Sequence, residues 1–114
     1  MSKVKIESFG NYIRRLRTEK GLNQTELAAK VKLDSGSMSK VENDKKHLDE
    51  EKLVLLAKAL NIDNEIMKKQ YLSDQFAKES VKYKVEQYQD IYELAESKTK
   101  YYFNVSTKQG ILKI

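Results

Sequence analysis

The sequence has no cysteine and no proline, only four glycines, and a single histidine, His47. Without cysteine, disulfides, thiolate zinc sites and a cysteine nucleophile are all excluded, and a reducing compartment is allowed. Without proline, nothing forces a helix to break. No glycine-rich phosphate loop, catalytic triad or paired-carboxylate signature is present either, so the expectation is no enzyme and no cofactor. His47 lies beside a turn, where it is expected to face solvent, and its neighbours do not complete a metal site. Long hydrophobic runs are also missing. The longest, LVLLAKAL, is interrupted by Lys58 and is far too short to span a bilayer, and MSKVKIESFG has no apolar signal core. These absences predict a soluble, cytoplasmic protein with no membrane partner.

What is there suits one small domain with an appended element: 114 residues, of which 39% are hydrophobic, enough for a modest core. The net charge of +5 comes from 22 basic and 17 acidic residues, a mild excess that favours an anionic partner. Its distribution says more than its total. Lys3, Lys5, Arg14, Arg15, Arg17 and Lys20 face only Glu7 and Glu19 in sequence, and a second cluster is Lys40, Lys45 and Lys46.

Apolar spacing predicts a series of short amphipathic helices. Phe9, Ile13 and Leu16 recur at i, i+4, i+7, giving a helix from about Ser8 to Lys20 that Gly21 ends in a left-handed cap. Asn23 with Glu26 reads as a capping box for a helix about ten residues long that buries Leu27, Ala28 and Val31. Asp34 caps a third helix running to about Asn43, with Met38 and Val41 inward. Asp49, Glu50 and Glu51 match the positive end of a fourth, whose stripe is Leu53, Leu56, Ala57 and Leu60 and whose stop is Asn61. Asp63 caps a fifth helix with Ile66, Leu72 and Phe76 on its apolar face.

Beyond it the pattern changes. Val81, Val85, Tyr88, Tyr92, Ala95, Thr99 and Tyr102 alternate steps of four and three, as in a coiled-coil seam, and predict one helix that seeks a partner. Heptad placement assigns the tyrosines to packing and not to base stacking. The end, YYFNVSTKQGILKI, reads as a short hairpin or a frayed tail. The expected division is 6–77 for the compact domain and 78–114 for a helical dimerisation extension.

Taken together, GLNQTELAAKV, the joining stretch AKVKLDSG, the following SGSMSKVEN and the later LVLLAKALN closely resemble the Xre-type, phage-repressor-like helix-turn-helix family. The resemblance covers roughly residues 9–72, and LAKALNIDNEIMKKQYLSDQFAKE is similar to regulators linked to bacterial restriction–modification systems. It implies an all-α fold: a five-helix repressor-like domain with a C-terminal helical extension. By position it implies that Gln24 binds a phosphate together with the backbone N–H groups of its turn, and that Ser35, Gly36 and Lys40 contact bases, with Ser39 in the same DNA-binding set. Asn43, Lys45 and Lys46 would hold the DNA backbone, and Arg17 and Glu42 would join the first helix to the third. Outside the resemblance, the apolar stripe of Val81, Val85, Tyr88, Tyr92 and Ala95 is expected to make a homodimer.

Two departures stand out. Lys32 occupies a turn position where the family often has glycine, so a left-handed backbone would be strained and a wider turn is expected. Gly36 costs about 1 kcal/mol in helix propensity and brings no hydrogen-bonding side chain. A reading helix that opens with Ser35, Gly36 and Ser37 suggests close approach to the groove floor, with Lys40 alone reaching far and worth about 1–3 kcal/mol of base discrimination. The implied function is a sequence-specific transcriptional regulator, a repressor, bound to palindromic double-stranded DNA as a homodimer. The competing reading is an antitoxin or adaptor whose helix-turn-helix is secondary to protein binding.

Overall fold

The computed structural model describes residues 6–109, and among them every regular element is helical. The order is α1 (Phe9–Glu19), α2 (Gln24–Lys30), α3 (Ser35–Glu42), α4 (Glu50–Leu60), α5 (Asn64–Lys82) and α6 (Tyr88–Gln109). The chain divides into two compact units between Phe76 and Ala77. No helix among the described residues is long and apolar enough to cross a membrane.

The first unit is organised around Ile13, Leu27, Val31, Met38, Val41, Leu56 and Met67, which are essentially inaccessible to water, with Leu16, Leu22, Leu33 and Ile62 packed at the margin. Each such side chain contributes about 1.5–3 kcal/mol on burial, so this cluster dominates the unit's stability. The apolar face of α5 differs from the sequence expectation. Ile66 and Leu72 are 51% and 63% exposed, whereas Met67 and Tyr71 are 0% and 9% exposed. The α5 sequence carries two adjacent apolar rows, and Tyr71 selects between them. Its ring meets Phe9 edge-on at 5.1 Å, and its hydroxyl accepts the Leu48 backbone N–H at 2.9 Å.

The helix starts follow their caps. Ser8, Asn23, Asp34 and Asp49 each accept the N–H three residues on, and Asn23 with Glu26 forms the full capping box. α2 is shorter than expected, seven residues. All of α1 to α5 end alike: a residue with positive φ (Gly21, Lys32, Asp44, Asn61, Lys84) is followed by one whose N–H reaches back five residues. These are Schellman turns, and only one uses glycine. Lys32 therefore takes the left-handed backbone at φ 58°, and the turn does not widen. The local cost of about 1–2 kcal/mol is offset by the Leu33 N–H to Ala28 bond at 2.9 Å, by packing of Leu33, and by Lys52 Nζ on the Lys32 carbonyl at 3.1 Å.

The second unit corrects the seam. α5 stops at Lys82, Lys84 turns left-handed at φ 59°, and α6 starts only at Tyr88, so Val81 and Val85 do not share a helix with Tyr88, Tyr92 and Ala95. A heptad pattern continues in sequence across this corner, but the Val85 N–H closes on the Ser80 carbonyl at 2.9 Å and ends the helix. Tyr88, Tyr92, Ala95, Thr99 and Tyr102 do share one side of α6, within an arc of about 80°. Tyr101 to Gln109 are helical, neither hairpin nor frayed tail; the final residues, 110–114, lie outside those described. Adding residues to a helix already nucleated is easier than starting a strand pair, so the β-prone composition does not prevail.

Candidate nucleic-acid interface

At about 100° per residue, Ser35, Ser39, Asn43, Gly36 and Lys40 occupy one arc of about 140° on α3, opposite buried Met38 and Val41. Ser35, Gly36, Lys40 and Asn43 are exposed, and Lys45 and Lys46 follow on the exposed exit from Asp44. A side chain at position 36 would meet only the Asp34 carboxylate, at 3.3 Å, so nothing inside the domain demands glycine there. The N-terminus of α3 is already occupied. Asp34 accepts the Ser37 N–H at 2.6 Å, and that bond, aided by the fields of Lys46 and Lys40, holds its carboxyl below the usual range. The front of α3 is thus small, polar and locally acidic, while its far end is basic.

Behind this face sits a buried charge. The Glu42 side chain is fully enclosed and accepts Arg17 Nε at 2.7 Å and Arg17 Nη2 at 3.0 Å, a fork-to-fork pair joining α1 to α3. Arg17 Nη1 also donates to the Leu22 carbonyl at 2.8 Å. Gln24, assigned to phosphate by resemblance, gives its Nε2 to Glu42 Oε1 at 3.0 Å, so its amide is part of this network. Burial alone would raise the Glu42 pKa, but the bonds from Arg17, Gln24 and Arg14 outweigh it and hold the carboxyl below its ordinary value. The network locks the back of α3 to α1 and to the first turn of α2. In that turn the capping box takes up the Asn23 and Glu26 N–H groups, leaving those of Gln24 and Thr25 without an intrahelical partner.

Other residues were not singled out by sequence. A Cβ on Gly10 would lie 2.6 Å from the Glu42 carbonyl and 2.7 Å from that of Val41, so α1 crosses the end of α3 at a distance only glycine permits. Asp44 accepts the Gly10 N–H at 2.8 Å and the Ser8 hydroxyl at 2.7 Å, while Asp74 accepts the Phe9 N–H at 3.1 Å. With Ser8 accepting from Asn11, three successive donors of the first turn of α1 are satisfied. Gly10, Arg14 and Arg17 stand at i, i+4, i+7, a pattern that could have marked this face in the sequence. Asp44 and Asp74 gave no such signal, being 34 and 65 residues from their partners. His47 is exposed, with Nδ1 3.0 Å from Gln75 Nε2. Among the described residues no cluster of acidic or histidine side chains could hold a metal.

Residues 13–63 match the helix-turn-helix family. No curated protein matches the chain. Among solved structures, the restriction-modification controller protein C.AhdI from Aeromonas hydrophila is 36% identical, with 52% of this chain and 89% of that chain covered and a TM-score of 0.49. The clp gene regulator ClgR from Corynebacterium glutamicum is 25% identical over 68% of this chain and 86% of its own, with a TM-score of 0.51. The DNA-binding domain of the P22 C2 repressor shares the fold at 23% identity, 56% and 84% coverage and a TM-score of 0.51.

Proposed function

From the premise that the chain belongs, through residues 13–63, to the Xre-type helix-turn-helix family of DNA-binding regulators, which are not enzymes, we propose that it is a transcriptional repressor that binds a palindromic operator as a homodimer in the cytoplasm. The observation that carries this reading is the two-sided character of α3. Its back is fixed by buried Glu42, and its front presents Ser35, Gly36, Ser39, Lys40 and Asn43, followed by Lys45 and Lys46. Small side chains at the front let the helix lie close to the groove floor, where Lys40 reads a guanine edge. One such contact supplies about 1–3 kcal/mol, so groove shape and a second copy supply the rest of the selectivity.

The second copy enters through the extension. Tyr88, Tyr92 and Ala95 make one side of α6, with Val81 and Val85 beside the preceding corner, and covering this surface with its symmetry mate sets two reading helices about 34–36 Å apart. Repression follows because a dimer over promoter DNA excludes polymerase without further machinery. Gln24 and the N–H groups of its turn then meet a phosphate.

Selection from random duplexes with the purified chain is expected to enrich a two-fold symmetric sequence. A chain that binds no duplex would sink the reading. A fragment ending at Ala77 is expected to be a folded monomer with weak, salt-sensitive and almost unselective binding. Sedimentation showing a dimeric fragment with full operator affinity would move the dimer contact away from α6. The exposed aromatic side chains of α6 also favour a second reading, an antitoxin or adaptor; a monomeric full-length chain that does not select a duplex would support it.

A further inference from the structure

We propose that Arg14, on α1, is a contact to the phosphodiester backbone of duplex DNA, held at the end of the reading helix by that helix's own last turn. The proposal rests on the DNA-binding reading above and adds a residue that neither the α3 face nor the family resemblance supplies.

The neutralisation of Glu42 does not need Arg14. Arg17 already engages both carboxylate oxygens at 2.7 and 3.0 Å, and Gln24 adds a third donor at 3.0 Å. Arg14 reaches the same carboxylate only through Nε, at 3.4 Å, on an oxygen that already accepts two shorter bonds. Its side chain is 43% exposed, against 15% for Arg17. Two guanidinium groups around one carboxylate leave a surplus positive charge, and the more exposed one carries it.

The rest of its environment orients this charge. Arg14 Nη2 donates to the Glu42 main-chain carbonyl and to Asn43 Oδ1, both at 3.3 Å. Asn43 in turn donates through Nδ2 to the Ser39 carbonyl at 2.8 Å. Arg14 therefore belongs to α1 in sequence but is fixed by the C-terminal turn of α3. Nε and Nη2 are occupied, and Nη1 keeps two N–H donors with no partner among the described residues. A half-exposed guanidinium with a free donor edge, beside Asn43 and ahead of Lys45 and Lys46, is matched to a phosphate, which accepts in the plane of the fork. Because every contact within the protein is at or beyond 3.3 Å, engaging an anion displaces no strong bond.

The test uses the full chain with a random-sequence duplex, whose binding reports backbone contacts alone. Plots of log affinity against log salt are compared for the wild type, Arg14→Gln and Arg14→Lys, together with urea unfolding of each. Arg14→Gln is expected to make the salt slope shallower by about 0.9 while leaving the urea midpoint in place, and Arg14→Lys to restore the slope. An unchanged slope with a midpoint lowered to that of Arg17→Gln would overturn the proposal and make Arg14 a structural partner of Glu42. If the wild type itself shows no salt-dependent duplex binding, the DNA-binding reading falls, and this proposal falls with it.

Discussion

In the first unit the large apolar side chains Ile13, Leu27, Met38, Leu56 and Met67 are fully buried, and the buried charge Glu42 has partners on two neighbouring helices. In α6 the reverse holds: Tyr88, Tyr92, Leu94, Tyr101 and Phe103 are all more than half exposed. Chains of similar hydrophobic content have been put to different uses. The first unit satisfies its apolar and polar demands internally and so can hold α3 rigid. The second keeps apolar surface available, which is what an association element requires.

Substitutions can break this contrast or sharpen it. The largest effect is expected from Glu42→Ala, which leaves Arg17 partly buried and unpaired and should lower stability by about 3–5 kcal/mol in urea unfolding. Loss of less than about 1 kcal/mol would show that the ion pair does not organise the first unit. Acid probes the same group. Its folded pKa lies below the ordinary 4.5, so its contribution is fully present above that value and disappears as the pH falls through the folded pKa. Wild-type unfolding followed below pH 4.5 should thus show a steeper loss than Glu42→Gln.

Gly10→Ala comes next, because the new Cβ meets main-chain carbonyls that cannot step aside. Overpacking of this kind costs about 1–3 kcal/mol, and a neutral result in thermal unfolding would mean that α1 can lift from α3. Lys32→Gly should act in the opposite direction, stabilising by about 1 kcal/mol through relief of the left-handed backbone. A destabilised Lys32→Gly would put the Lys32 side chain, and not its φ angle, in charge of the turn. The smallest effect belongs to the second unit. Ala95→Lys should change unfolding at low protein concentration by less than about 0.5 kcal/mol, as for an exposed site, while weakening self-association measured by sedimentation. A large stability loss from this exposed position would erase the contrast between the units.

Helix starts were legible because their signals are local. Asn23 with Glu26, Asp34 and Asp49 each act within three residues of themselves. Helix ends were half legible: Gly21 and Asn61 announce a left-handed turn, but Lys32 and Lys84 do not, and the unannounced stop at Lys84 is why the heptad spacing from Val81 to Tyr102 reads as one helix. The α5 register failed for a different reason. Ile66 and Met67, and likewise Tyr71 and Leu72, are adjacent in sequence, and only the contact with Phe9 and the Leu48 N–H decides which of each pair turns inward. The exposed arc of α3 follows from helical spacing alone. Gly10, Asp44 and Asp74 do not, because their partners are brought together only by the finished fold.

The five left-handed corners also differ in what secures them. After Gly21, Lys32, Asn61 and Lys84 the chain continues with Leu22, Leu33, Ile62 and Val85, and the first three of these pack against the core. After Asp44 it continues with Lys45, which is exposed. At this corner the anchor has moved back by one residue. The Asp44 carboxylate grips the first turn of α1 through the Gly10 N–H and the Ser8 hydroxyl, so the following position is released from any duty to the interior. The corner after α3 is therefore a polar hinge pin where three of its counterparts are greased sockets, and it sets Lys45 and Lys46 in place from behind while leaving their ammonium groups to water or to an anion.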